Sequence, residues 1–121
     1  MIDHVGLRVS DYTRSKKFFT AALAPVGYAL IAEYGEAAGF GAGSKPDFWI
    51  GTGEATRAAT HVCFAASSRA QVDAFHKAAL AAGGRDNGAP GVRAMYHPTY
   101  YGAFVLDPDG NNIEAVCHQA V

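Results

Sequence analysis

The stretch Tyr100–His118, YYGAFVLDPDGNNIEAVCH, decides the reading of the chain. A strand-like run over Tyr100–Leu106 meets Asp107-Pro108-Asp109-Gly110, and a second run follows over Asn111–His118. Pro108 presets φ for a turn and Gly110 tolerates positive φ, so the two runs are expected to pair as a hairpin. Alternation along the second run sends Ile113, Ala115 and Cys117 to one face and Asn112, Glu114, Val116 and His118 to the other. The first set is apolar enough for a core. Glu114 is therefore expected mid-strand on the opposite face, where a carboxylate needs a partner or a metal.

Composition narrows the classes of function. The chain has 121 residues, 50% hydrophobic and 17% charged, with a net charge of −1, as expected of one globular domain. Lys and Arg are scattered, so neither a nucleic-acid stripe nor a membrane-surface patch is expected. No apolar run approaches the roughly 18 residues of a membrane helix. The opening Met1-Ile2-Asp3-His4 does not look like a signal peptide, and two cysteines make no disulfide framework, so the cytoplasm is the expected compartment.

Outward from the hairpin, the chain reads as two similar halves. Ile2–Val9 alternates as a strand, with Ser10 or Asp11 able to cap a helix beginning near Tyr12. Phe18, Phe19, Ala22 and Leu23 give that helix an apolar stripe, and Pro25 and Gly27 end it. Further strands are expected at Tyr28–Tyr34, Gly39–Ala42 and Asp47–Thr52, followed by a connection at Gly51–Ala59. The pattern then restarts. Thr60–Ala66 is a strand, Ser67 or Ser68 a cap, and Ser68–Ala82 a helix with Val72, Phe75 and Ala79 on one stripe and Gly83 at its end. The offset that carries His4 onto His61 also superposes Val5 on Val62, Ser10 on Ser67, Phe18 on Phe75 and Leu23 on Leu80. This predicts a duplicated β-α-β-β-β unit, with module one at about 1–55 and module two at about 60–121. Arg85–Pro98 reads as a long loop. Setting Phe40 against Phe104 then places Glu114 opposite Trp49 or Ile50.

The repeat makes three scattered residues a geometric expectation. His4 and His61 open equivalent strands, and Glu114 lies on the last strand of module two. If the two sheets curve around one cleft, these side chains meet there as a facial triad suited to Fe(II), Mn(II), Ni(II) or Zn(II). The plainer alternative is an ion pair between Glu114 and Arg8. Arg8 is otherwise a candidate for binding an anionic group of a substrate. His97 is a candidate acid/base and Tyr101, or its neighbour Tyr100, a hydrogen-bonding group at the site. Cys63 shares the face of His61 and is a candidate cleft residue. Trp49 would make an apolar wall for a planar substrate. His76 and His118 read as surface residues.

The chain resembles the vicinal oxygen chelate superfamily, which includes glyoxalase I, extradiol dioxygenases, fosfomycin-resistance thiol transferases and bleomycin-resistance proteins. The resemblance rests on DHVGLRVSDYTRSKKFF, THVCFAASSRAQVDAFHKAA and YYGAFVLDPDGNNIEAV, and spans nearly the whole chain. It implies an α+β fold in which two tandem βαβββ modules form a cupped mixed sheet with helices outside. It also implies that His4, His61 and Glu114 are metal ligands. Glyoxalase I usually has a fourth ligand on the last strand of its first module; here that place falls on Trp49 or Ile50, which cannot ligate. Asp47 and Glu54 are near but would need other alignments. A three-ligand site is more like the dioxygenase and thiol-transferase branches. The second half offers only Arg69, Arg85, Arg93 and Lys77 to line a phosphonate site, which sets the thiol transferases back. Dioxygenase-like chemistry on a small oxygen-rich substrate is therefore the leading expectation. A glyoxalase-like lyase or isomerase comes second, and a drug-sequestering protein of the bleomycin-resistance kind is the non-enzymatic alternative. A homodimer is expected, because the sheets leave open edges to cover.

Overall fold

The computed structural model describes residues 1–53 and 60–121. Glu54 and most of the expected connection between the modules lie outside the described residues. The first module runs β1 (Val5–Val9), α1 (Tyr12–Leu23), a short 3-10 turn (Ala24–Val26), β2 (Ala29–Tyr34), β3 (Ala37–Gly41) and β4 (Phe48–Thr52). The second runs β5 (His61–Ala65), α2 (Arg69–Ala81), β6 (Arg85–Val92), β7 (Tyr101–Leu106) and β8 (Asn112–Cys117). The fold is the expected α+β pair of βαβββ units. Its sheet is in two four-stranded halves, ordered β1-β4-β3-β2 and β5-β8-β7-β6. No helix among the described residues is long and apolar enough to cross a membrane.

Local sequence explains these elements. Asp11 caps α1 by accepting from the Arg14 N–H at 3.0 Å, and Ser68 caps α2 by accepting from Gln71 at 3.2 Å. The stripes Phe18, Phe19, Ala22, Leu23 and Val72, Phe75, Ala79 are fully buried. The two helices pack on each other, and the helix-bearing faces of both sheets share one core. Phe48 of the first sheet meets Phe64 of the second with ring centroids 5.1 Å apart, and Phe19 packs on Phe48 at 5.0 Å. Each such buried ring contributes roughly 1.5–3 kcal/mol of hydrophobic stabilisation.

The hairpin turn also ties the modules together. Gly110 takes φ 85°, and the buried Asp107 carboxylate accepts from the Asn111 N–H at 2.7 Å and the Asp109 N–H at 3.0 Å. Asn111 in turn accepts from the Thr60 N–H at 3.0 Å, fixing the start of β5. Across the module boundary, Asp109 accepts from the Ser10 N–H at 3.3 Å and from the Ser10 hydroxyl. Burial raises the Asp107 pKa despite these donors.

Two expectations are corrected. Arg85–Val92 is a strand rather than part of a loop. Its Gly and Pro residues are disfavoured in a strand interior, but β6 is an edge strand with register shifts around Gly88, where such residues are tolerated. The module alignment also shifts by one residue. Trp49 pairs with Gly39 and Glu114 with Phe104, so Phe104 corresponds to Gly39, not to the core residue Phe40.

Gly84 sits where the modules meet. A Cβ there would lie 2.5 Å from Val105 Cγ1 and 2.7 Å from Phe18 Cε1. Gly84→Ala is expected to destabilise the fold by roughly 1–3 kcal/mol, read as a lower urea midpoint with an unchanged slope.

Candidate metal centre

Glu114 stands on β8, flanked by β5 on one side and β7 on the other, and is 2% exposed. The parallel β5–β8 ladder sets Cys63 beside it, and the antiparallel β7–β8 ladder sets Phe104 on its other side. Its partners are specific. The Tyr100 hydroxyl donates to Oε2. His61 Nε2 lies 3.1 Å from Oε1. The expected alternative, Arg8, is engaged elsewhere, its Nη1 donating to the Thr52 carbonyl at 3.4 Å.

The other ring nitrogen of His61 determines what this pair can do. Nδ1 is 3.0 Å from the Asn112 carbonyl, which can only accept. Nδ1 therefore carries the ring's proton and, in neutral imidazole, Nε2 presents a lone pair to Glu114. Two acceptors facing each other at 3.1 Å repel unless a cation lies between them. That cation is either a shared proton or a metal ion. A neutral imidazole oriented through its second nitrogen, beside a carboxylate oriented through its second oxygen, is the donor chemistry of a protein metal site. The residues fit a divalent ion.

The remaining expected residues fall into two groups. His4 precedes β1, with Nδ1 2.8 Å from Asp3 Oδ1 and a side chain 60% exposed. Among the described residues no three His, Cys, Asp or Glu side chains stand together as a ligand cluster, so His61 and Glu114 meet while His4 remains apart. Cys63 adjoins Glu114, and desolvation of its thiol, then the Glu114 charge, push its pKa up to about 12. It is a thiol, not a thiolate, at neutral pH.

Tyr101 is not at the site. Its hydroxyl donates to Asp73 of α2 at 2.6 Å, and the Arg69 guanidinium covers its ring. Tyr100 takes the place expected for it, with burial first and then the bond to Glu114 holding its hydroxyl well above the usual phenol range. Once the hairpin register is known, alternation gives this directly: Tyr100, Gly102 and Phe104 share the face of Glu114. The ring of Phe104, absent from the sequence reading of the site, stacks on His61 at 6.4 Å and 28°. His97 lies at the rim, its ring 6.5 Å from that of His118, which itself meets the Tyr100 ring at 5.4 Å. Unlike a surface residue, His76 bonds Asp86 Oδ1 at 2.9 Å with 14% of its side chain exposed.

On the first sheet the ladder settles the correspondence with Glu114. Gly6 pairs with Trp49 as Cys63 pairs with Glu114, so Trp49 occupies the place of the carboxylate. Its ring lies flat on Gly39, where a Cβ would stand 2.8 Å from Trp49 Cη2, and stacks with Tyr34 at 6.1 Å and 20°. With Gly6, Arg8, Ala37 and Gly51 it borders a shallow hollow of about 230 Å³.

The profile of the Glyoxalase/Bleomycin resistance protein/Dioxygenase superfamily matches residues 1–115. The chain belongs to this superfamily. Similar solved structures agree. A glyoxalase/bleomycin resistance protein from Albidiferax ferrireducens T118 is 33% identical, with 97% of this chain and 98% of that one covered and a TM-score of 0.80. Two more distant structures share the fold. One is a glyoxalase/bleomycin resistance protein/dioxygenase family enzyme from Burkholderia phytofirmans PsJN, at 17% identity, covering 98% of each chain, with a TM-score of 0.76. The other is a lactoylglutathione lyase from Agrobacterium tumefaciens, at 17% identity, covering 97% of this chain and 92% of that one, with a TM-score of 0.69. No curated protein matches the chain. Superfamily membership makes a divalent metal the usual cofactor and small molecules the usual substrates.

Trp49 is the sole tryptophan, so its emission reports on this face alone. Gly39→Ala is expected to push the indole off the sheet and red-shift that emission. An unchanged spectrum would mean that the ring does not rest on Gly39.

Proposed function

We propose that the chain is a divalent-metal enzyme that chelates a small, planar, oxygen-rich substrate, with dioxygenase-like chemistry. The observation that carries this reading is the His61 Nε2–Glu114 Oε1 pair, two acceptors brought to 3.1 Å with the second atom of each already committed. His4 is the third ligand. Because His4 stands apart from the pair and is mostly exposed, this reading takes it from the partner subunit of a homodimer.

The ion, as Fe(II), Mn(II), Ni(II) or Zn(II), would supply Lewis acidity toward two neighbouring substrate oxygens, and iron would add redox chemistry toward dioxygen. The chain's own groups do the rest. Tyr100 holds the carboxylate still. Trp49, stacked with Tyr34, offers a flat apolar wall, and Arg8 at its border attracts an anionic substituent. Cys63 keeps its proton and fills space beside the pair. His97, whose Nδ1 accepts from the Thr99 N–H at 3.2 Å, keeps Nε2 for proton transfer at the rim. A Trp at the position matching Glu114 leaves one ligand fewer than a glyoxalase I-like site, which favours the dioxygenase-like reading over the lyase.

Metal analysis of protein purified under metal-replete conditions is expected to give near-stoichiometric ion in wild type and strong loss in His61→Ala or Glu114→Ala. Mixing His4→Ala with Glu114→Ala chains tests the source of His4. A shared site restores one complete site per mixed dimer, whereas a site within one chain restores none. After anaerobic Fe(II) loading, catechols are expected to drive oxygen uptake. Absence of uptake, with hemithioacetal turnover under Ni(II) or Zn(II), would replace the dioxygenase reading with the lyase.

A further inference from the structure

We propose that Tyr100 is a positioning residue that aims the Glu114 carboxylate, and that Gly102 is what lets it do so. The inference rests on the metal-site reading above and concerns how that site is set. Glu114 has two chemically equivalent oxygens, and rotation about its terminal torsion would present either of them, or neither, to His61. The Tyr100 hydroxyl removes that freedom by donating to Oε2, leaving Oε1 directed at His61 Nε2 at 3.1 Å. Ligands fixed through their outer atoms bind metal more tightly than ligands free to turn.

The route of Tyr100 to Glu114 is built into the strand. Tyr100 lies just before β7, and its ring runs back over Gly102 to reach β8. A Cβ on Gly102 would stand 3.1 Å from Tyr100 Cε1 and 3.3 Å from Glu114 Oε2, in the gap between the two partners. Any larger residue would part them or force the ring to lift. The ring is also held from its other sides. Tyr96 meets it at 5.1 Å with an interplanar angle of 68°, and His118 at 5.4 Å with 86°. These edge contacts come from the β6–β7 connection and from the residue after β8, so two further segments hold the Tyr100 hydroxyl on the carboxylate. Tyr101 provides an internal control. It is the adjacent tyrosine, also hydrogen-bonded to a carboxylate, but on the opposite face of the sheet.

The test compares Tyr100→Phe, Gly102→Ala and Tyr101→Phe with wild type, using Co(II) as the probe and competition with a chelator. Tyr100→Phe and Gly102→Ala are expected to weaken Co(II) binding by about 10- to 100-fold and to alter the visible absorption of the bound ion. Tyr101→Phe should leave both unchanged, and all variants should retain the wild-type circular dichroism. A Tyr100→Phe variant with wild-type affinity and spectrum overturns the inference while leaving the metal site standing. If wild type takes up no Co(II), the metal reading fails instead. The positioning claim is then decided in the metal-free protein by the His61 Nε2 nitrogen resonance. That resonance is expected to move in Tyr100→Phe and not in Tyr101→Phe; an unmoved resonance rejects it.

Discussion

A carboxylate is held at 2% exposure with the Nε2 of an imidazole 3.1 Å away, and β5, β7 and β8 of the second sheet are arranged around that pairing. Removing a carboxylate from water costs several kcal/mol unless a positive charge or hydrogen-bond donors replace the lost hydration. Tyr100 supplies one donor. His61 turns its proton away, to the Asn112 carbonyl, and so leaves room for a cation. The parallel β5–β8 ladder fixes the spacing: it sets Cys63 level with Glu114 and His61 level with Asn112, so the strand that carries the carboxylate also orients the imidazole.

The duplicated unit has been put to two uses. In the second module, the inner strand carries Glu114, with Phe104 beside it on β7 and Cys63 on β5. The matching ladder of the first module carries Trp49, with Gly39 and Gly6 in the flanking places. Both flanking places are smaller in the first module. At one such place Gly39 makes room for the indole, and its counterpart Phe104 stacks on the His61 ring. One sheet thus carries the His61–Glu114 pair and the other the Trp49 indole. His4 and His61 hold corresponding positions in the two modules, but His61 meets a carboxylate from a neighbouring strand, whereas the carboxylate beside His4 belongs to its sequence neighbour Asp3.

Much of this was legible in the chain. Asp107-Pro108-Asp109-Gly110, the caps at Asp11 and Ser68, the helix stripes and the His4/His61 offset specify the two modules, because turns, caps and periodicity are local signals. What escaped depends on pairing between distant strands. Matching Phe40 to Phe104 was in error by a single residue, and one residue is enough to exchange the faces of a strand. The same uncertainty lay between Tyr100 and Tyr101, where only the hairpin register separates a hydroxyl at Glu114 from one at Asp73. β6 escaped because its Gly and Pro residues break local propensity, and edge pairing overrides them. His76 read as exposed because its partner, Asp86, lies on that same unrecognised strand.

The most direct test of the central claim is the X-ray absorption fine structure of the protein loaded with one equivalent of Zn(II). The account predicts a first shell of oxygen and nitrogen ligands with the multiple-scattering signature of imidazole, and loss of part of that signature in His61→Ala. A shell dominated by sulfur from Cys63, or one unchanged by removing the His61 ring, would contradict it.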